Sequence, residues 1–98
     1  MLKFAFISRH LPTSGQVSIA ESKGIELIHV GDMDAFSVSH GDVYYHGPFD
    51  GVVVVHPAAA MRLAPFFMIG VFQNANRAPI GAPPSFEATI LHIFDMRD

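Results

Sequence analysis

Leu2-Lys3-Phe4-Ala5-Phe6-Ile7 runs straight into Ser8-Arg9-His10, and then into Leu11-Pro12-Thr13-Ser14-Gly15-Gln16. The first of these segments is almost wholly apolar over the length of one strand, as expected for a strand covered on both faces. Pro12 suits the first turn of a helix, and Thr13 or Ser14 suits its cap. Strand, short polar switch and helix, in that order, open a β–α–β unit. In an open α/β sheet, strand carboxyl ends and the amino ends of the following helices frame the usual ligand crevice. Backbone N–H groups favour anions there, and Arg9 and His10 stand beside them.

The rest of the chain extends this grammar. Val17, Ile19 and Ala20 give a short helix with a modest apolar face, and Gly24 is placed to stop it. Ile25–Val30 reads as a second strand, closed by Gly31-Asp32. Asp32–Phe36 reads as one helical turn. Val38–Tyr45, broken at Gly41-Asp42, reads as a hairpin or an irregular excursion that ends at Gly47-Pro48. Val52-Val53-Val54-Val55 is a run of β-branched residues between Asp50-Gly51 and His56-Pro57, and marks the third strand. Ala58–Ala64 has high helix propensity, Pro57 fits its first turn, and Pro65 ends it.

Met68–Phe72 reads as a fourth strand leading into Gln73-Asn74-Ala75-Asn76-Arg77. Residues 78–84 are a loop on composition. Ala88–Phe94 is compatible with helix or strand, and its β-branched and aromatic content favours strand. The expected fold is therefore α/β: one small Rossmann-like domain over residues 1–98. Its sheet is mostly parallel, with helices packed on it and room for an extra hairpin.

With 98 residues, of which 50% are hydrophobic and 15% charged, the chain is a folded domain rather than a disordered segment. So high an apolar share in so small a domain points to a surface covered by a partner, hence a homodimer. The net charge of −3, without a Lys/Arg-rich run, argues against binding to long nucleic acid. The absence of cysteine removes thiol nucleophiles, zinc–thiolate sites and disulfides. The N-terminal apolar run is too short for a signal peptide, and no apolar stretch is long enough to span a bilayer. A cytoplasmic protein without membrane contact is the expectation.

Three strand ends deliver polar groups: Ser8-Arg9-His10, His56, and the Gln73–Arg77 segment. In a parallel sheet these ends share one edge. Arg9 suits a bidentate grip on phosphate oxygens, and His10 suits proton transfer near neutral pH. Ser8, Thr13 and Ser14 add hydroxyls, and His56, Asn74, Asn76 and Arg77 complete the candidate ligand contacts. Plainer readings stand beside these. Arg9 and His10 also fit a solvated loop start, His56 a helix cap, and the Asn-Arg segment ordinary turn chemistry.

His29 and His92 lie inside apparent strands and read as structural. His40 and His46 match no strong ligand spacing, and Asp32 with Asp34 fits a solvated helix start, so no metal or other cofactor is expected. Glycine-rich dinucleotide and P-loop motifs are absent, as is the Gly-x-Ser-x-Gly elbow of α/β-hydrolases.

Phe6-Ile7-Ser8-Arg9-His10, a Pro, a helix and Gly24-Ile25 together resemble the opening of small CRISPR-associated proteins with a Rossmann-like fold. These accompany type III systems, and some are ring nucleases acting on cyclic oligoadenylates. Gly51–Pro57 followed by Ala59-Ala60 is similar to their third strand and its turn into a helix. The similarity runs over residues 4–65. Leu11 intrudes before Pro12, Thr13 replaces a usual glycine, and the family's His-x-Ser-x-Asp strand end is not seen.

The resemblance implies metal-independent cleavage of a cyclic oligoadenylate, or binding of another small nucleotide. Arg9 would steady the phosphoryl charge, His10 would move a proton, and the helix near Thr13 would cradle a phosphate. It also suits a two-fold dimer. Two further classes compete: a binding module without turnover, and an interaction protein whose apolar patch centres on Phe66, Phe67 and Phe72.

Overall fold

The computed structural model describes residues 1–73 and 90–97. Five strands form one sheet: β1 (Leu2–Ile7), β2 (Ile25–Val30), β3 (Gly51–Val53), β4 (Met68–Gln73) and β5 (Ile90–Phe94). The helices are α1 (Ser14–Ser22), α2 (His40–His46) and α3 (Pro57–Leu63). Strand order is β2-β1-β3-β4-β5. The first four strands are mutually parallel, and β5 runs antiparallel to β4. The fold is a Rossmann-like α/β sheet, as the sequence implies.

Sequence chemistry accounts for the element ends. Thr13 caps α1: its Oγ1 accepts from Gln16 N, while the Gln16 side chain accepts from Thr13 N. Gly24 follows the helix at φ +74°, a conformation that favours glycine, and its N–H reaches Glu21 O. Gly51 answers a different demand. A Cβ there would stand 2.5 Å from the Phe4 ring and 2.8 Å from the Met68 carbonyl, so only glycine lets β3 pass between its neighbours.

Two apolar clusters hold the sheet. On one face Ala5, Ile7, Val52, Val54 and Ile69 pack with Val43 of α2 and Ala59 and Leu63 of α3. On the other, Phe4, Phe6, Val53 and Leu91 pack with Ala20 of α1. The alternation along β1 and β3 sends neighbouring residues to opposite cores, which explains the apolar runs Phe4–Ile7 and Val52–Val54.

Three expectations need correction. Residues 38–45 form no hairpin; they carry α2, whose cap is Ser39 with a reciprocal Asp42 contact. The turn read at Asp32–Phe36 begins two residues later, with Val38 N–H bonded to Asp34 O. β3 ends at Val53, so Val55 leaves the sheet and stands 73% exposed. The remaining calls on β1, β2, α1, α3 and β4 hold to within a residue or two. Asn74, Asn76, Arg77 and the 78–84 loop lie outside the described residues, as do Ala88 and Thr89.

Candidate functional site

Chain direction locates the site. After β1 the chain adds β2 on one side, then crosses back so that β3 lies on the other side of β1. The carboxyl ends of β1 and β3 therefore flank the point where strand order reverses, the place where open α/β sheets bind ligands. A cavity of about 210 Å³ lies there, lined by Ser8, Arg9, His10, Met33, Asp34, Ala35, Phe36 and Val55.

β1 delivers the polar triplet, and His29 of β2 fixes its first residue. The His29 Nε2–H donates to the Ser8 carbonyl at 2.7 Å. Ser8 Oγ in turn accepts from the His10 backbone N–H at 3.2 Å. His29 is thus a structural histidine, as expected from its place inside a strand. Arg9 and His10 are exposed at the cavity. No described residue hydrogen-bonds the His10 ring.

The opposite wall comes from the β2–α2 loop, which the sequence did not mark as part of the site. Asp34 organises it. Its Oδ1 accepts from Phe36 N at 2.9 Å and its Oδ2 from the Ser37 hydroxyl at 2.9 Å. These bonds, with the charge of Arg9 as a smaller contribution, hold the Asp34 carboxyl below its ordinary pKa. Arg62 on α3 clamps the same loop: Nη1 donates to the Val38 carbonyl at 3.2 Å and Nη2 to the Phe36 carbonyl. A planar guanidinium reaches the two carbonyls from two separate nitrogens in a rigid fork, a span that the single nitrogen of an ammonium does not offer.

Phe36 is consequently held by its own N–H and carbonyl while its side chain remains 68% exposed. The His56 ring meets it edge-on at 4.9 Å. His56 caps α3, its Nδ1 accepting from Ala58 N at 3.2 Å. That bond places the neutral ring's proton on Nε2. The cap reading of His56 is right, and the residue also reaches the site rim through Phe36.

Other candidates sit elsewhere. Thr13 Oγ1 serves the α1 cap, and neither Thr13 nor Ser14 lines the cavity. His40 stacks on Phe66 at 4.0 Å. His46 donates through Nε2 to Asp32 Oδ2 at 3.0 Å, and its Nδ1 faces the Asp42 carbonyl at 2.9 Å. The Asp42 carbonyl and then the Asp32 carboxylate raise the His46 pKa above 6.5. His92 meets Gln73 Oε1 at 2.6 Å across the β4–β5 pair. Among the described residues, no three His, Cys, Asp or Glu side chains gather as a metal site.

A larger hollow of about 630 Å³ lies between α3 and β4–β5, lined by Ala60, Met61, Ala64, Pro65, Ile69, Val71, Phe94 and Met96. None of these described lining residues is ionisable. The apolar patch expected around Phe66, Phe67 and Phe72 is corrected by the structure. Phe67 is 1% exposed in one core and Phe72 packs on the other, leaving only Phe66 at the surface. Among the described residues, no helix is long and apolar enough to cross a membrane. No protein-family model, curated protein or solved structure matches the chain.

Proposed function

We propose that the β1/β3 crevice binds a phosphate-bearing nucleotide, and that the protein is a metal-independent ring nuclease opening a cyclic oligoadenylate. The observation that carries this reading is the cavity itself: Ser8, Arg9 and His10 line one space at the point of strand reversal. Arg9 supplies a fixed cation with a fork of donors for phosphate oxygens. The choice of a cyclic oligoadenylate follows from the resemblance of residues 4–65 to the small CRISPR-associated proteins described above.

The reaction asks little beyond positioning and charge. The ribose 2′-oxygen attacks the adjacent phosphorus as the P–O5′ bond breaks, leaving a 2′,3′-cyclic phosphate and a 5′-hydroxyl. The proton from the 2′-hydroxyl passes to a base and one returns to the leaving 5′-oxygen. His10 carries that proton, and Arg9 stabilises charge on the phosphoryl oxygens. The proposed assembly is a homodimer, for which exposed Met61, Phe94 and Met96 offer apolar surface.

One observation favours a second reading, a binding module without turnover. A general base is usually oriented by a third group, yet Asp34, the acid among the described lining residues, spends both oxygens on its own turn. Incubation with a panel of cyclic oligoadenylates in EDTA, followed by chromatography, separates the two. Linear products with 2′,3′-cyclic phosphate ends, lost in Arg9→Ala and His10→Ala, are expected. Tight binding without product would establish the second reading. Neither binding nor cleavage would refute both.

A further inference from the structure

The cavity at the strand ends is small for a nucleotide site. Its volume of about 210 Å³ falls below the roughly 300–1,000 Å³ of typical small-molecule sites. A ligand larger than this space extends over its rim. The rim carries Phe36, a mostly exposed ring on a backbone held at both its N–H and its carbonyl. Aromatic faces of this kind stack nucleobases irrespective of base identity.

We propose that Phe36, backed edge-on by His56, is the stacking platform for a nucleobase whose phosphate sits at Arg9 and His10. This rests on the reading of the crevice as a phosphate site, and narrows its ligand to nucleotides rather than phosphorylated sugars or free phosphate. The chemistry of the walls agrees: Met33, Ala35 and Val55 give an apolar flank beside the charged triplet. A flat apolar group joined to an anion matches both halves. Arg62 and Asp34 are positioning residues that hold the Phe36 backbone at the cavity, through its carbonyl and N–H respectively.

The test compares adenosine 5′-monophosphate with ribose 5-phosphate by calorimetry on the full chain. The wild type is expected to bind the nucleotide about tenfold or more tightly than the sugar phosphate. Phe36→Ala should bring the two affinities together by weakening only the nucleotide. The chain has no tryptophan, so Phe36→Trp installs a single indole that can be excited apart from the tyrosines. It should retain the preference and be quenched by the nucleotide but not by ribose 5-phosphate.

Equal wild-type affinities, with ribose 5-phosphate binding lost in Arg9→Ala, would overturn the platform while leaving the phosphate site standing. Equal weakening of both ligands in Phe36→Ala would also overturn it, by assigning the ring a purely structural part. Binding of neither compound would overturn the platform and the phosphate site together.

Discussion

Two hollows among the described residues, one at the strand ends and one beside α3, differ in size and in chemistry. The groove between α3 and β4–β5 is three times the volume of the crevice at the β1/β3 ends, about 630 Å³ against 210 Å³. Its described lining residues are apolar, and exposed Met61 at 79% contributes a flexible, adaptable surface. The crevice is small but carries Arg9, His10 and Asp34, with its far wall pinned by Arg62. Volume measures how much apolar surface was left uncovered. Strand direction and reversal decide where polar groups converge.

The severest break of this comparison is Arg9→Ala. Loss of hydrogen bonds to a charged group costs about 1.5–3 kcal/mol, so phosphate-ligand affinity should fall on the order of 10- to 100-fold, and turnover should vanish. Met61→Ser in the groove should leave both unchanged. Calorimetry of the two variants, with circular dichroism to show an intact fold, checks the contrast.

Gly51→Ala should damage both hollows alike, because β3 is paired with β1, which leads into the crevice, and with β4, which lines the groove. The new Cβ would meet the Phe4 ring and the Met68 carbonyl. Overpacking of this kind costs about 1–3 kcal/mol, to be read as a lowered denaturant midpoint. Arg62→Ala discriminates more finely. It should release the 34–38 loop and weaken nucleotide binding several-fold while the groove's own residues keep their positions. Arg62→Lys should rescue little, since one ammonium cannot replace the two-carbonyl fork.

The smallest expected effect is a pH dependence at α2. His46 has its folded pKa raised, so its contribution is complete below the unfolded value of 6.5 and is lost as pH rises through the folded value. Asp32 is lowered from 3.8, first by the His46 hydrogen bond, so its share is present above 3.8 and lost as pH falls through the folded value. An NMR titration of the His46 ring should therefore give a pKa above 6.5 that moves down in Asp32→Asn. An unchanged value in that variant would contradict the pairing.

Sequence reading located the crevice through backbone logic and missed half its wall for a physical reason. β1 and β3 were legible because strands buried on both faces carry continuous apolar runs, Phe4–Ile7 and Val52–Val54, while β2 and β4 were read from apolar residues bounded by turn or polar residues. Ser8, Arg9 and His10 followed because β1 had to end somewhere polar. α2 escaped because only Val43 along it is buried, and Gly41, Tyr44 and Tyr45 favour other conformations. The Ser39-x-x-Asp42 cap was its available signal.

Phe36 and Asp34 reach the crevice because a loop after β2 must emerge on the same sheet edge as the loop after β1. That inference was open from the parallel β–α–β pattern, with Asp34 and Ser37 as turn formers. Arg62 had no such signal. Its clamp spans 24 residues to Val38, and only the packing of α3 against the loop creates it.

The central claim is that the β1/β3 strand ends, and not the larger groove, hold a phosphate-bearing ligand. Amide chemical-shift mapping during titration with adenosine 5′-monophosphate tests it most directly. Perturbations should concentrate at residues 8–10, 34–36 and 55–56, with those at 60–65 and 94–96 near zero. Perturbations centred on the groove, or none at saturating nucleotide, would contradict the account.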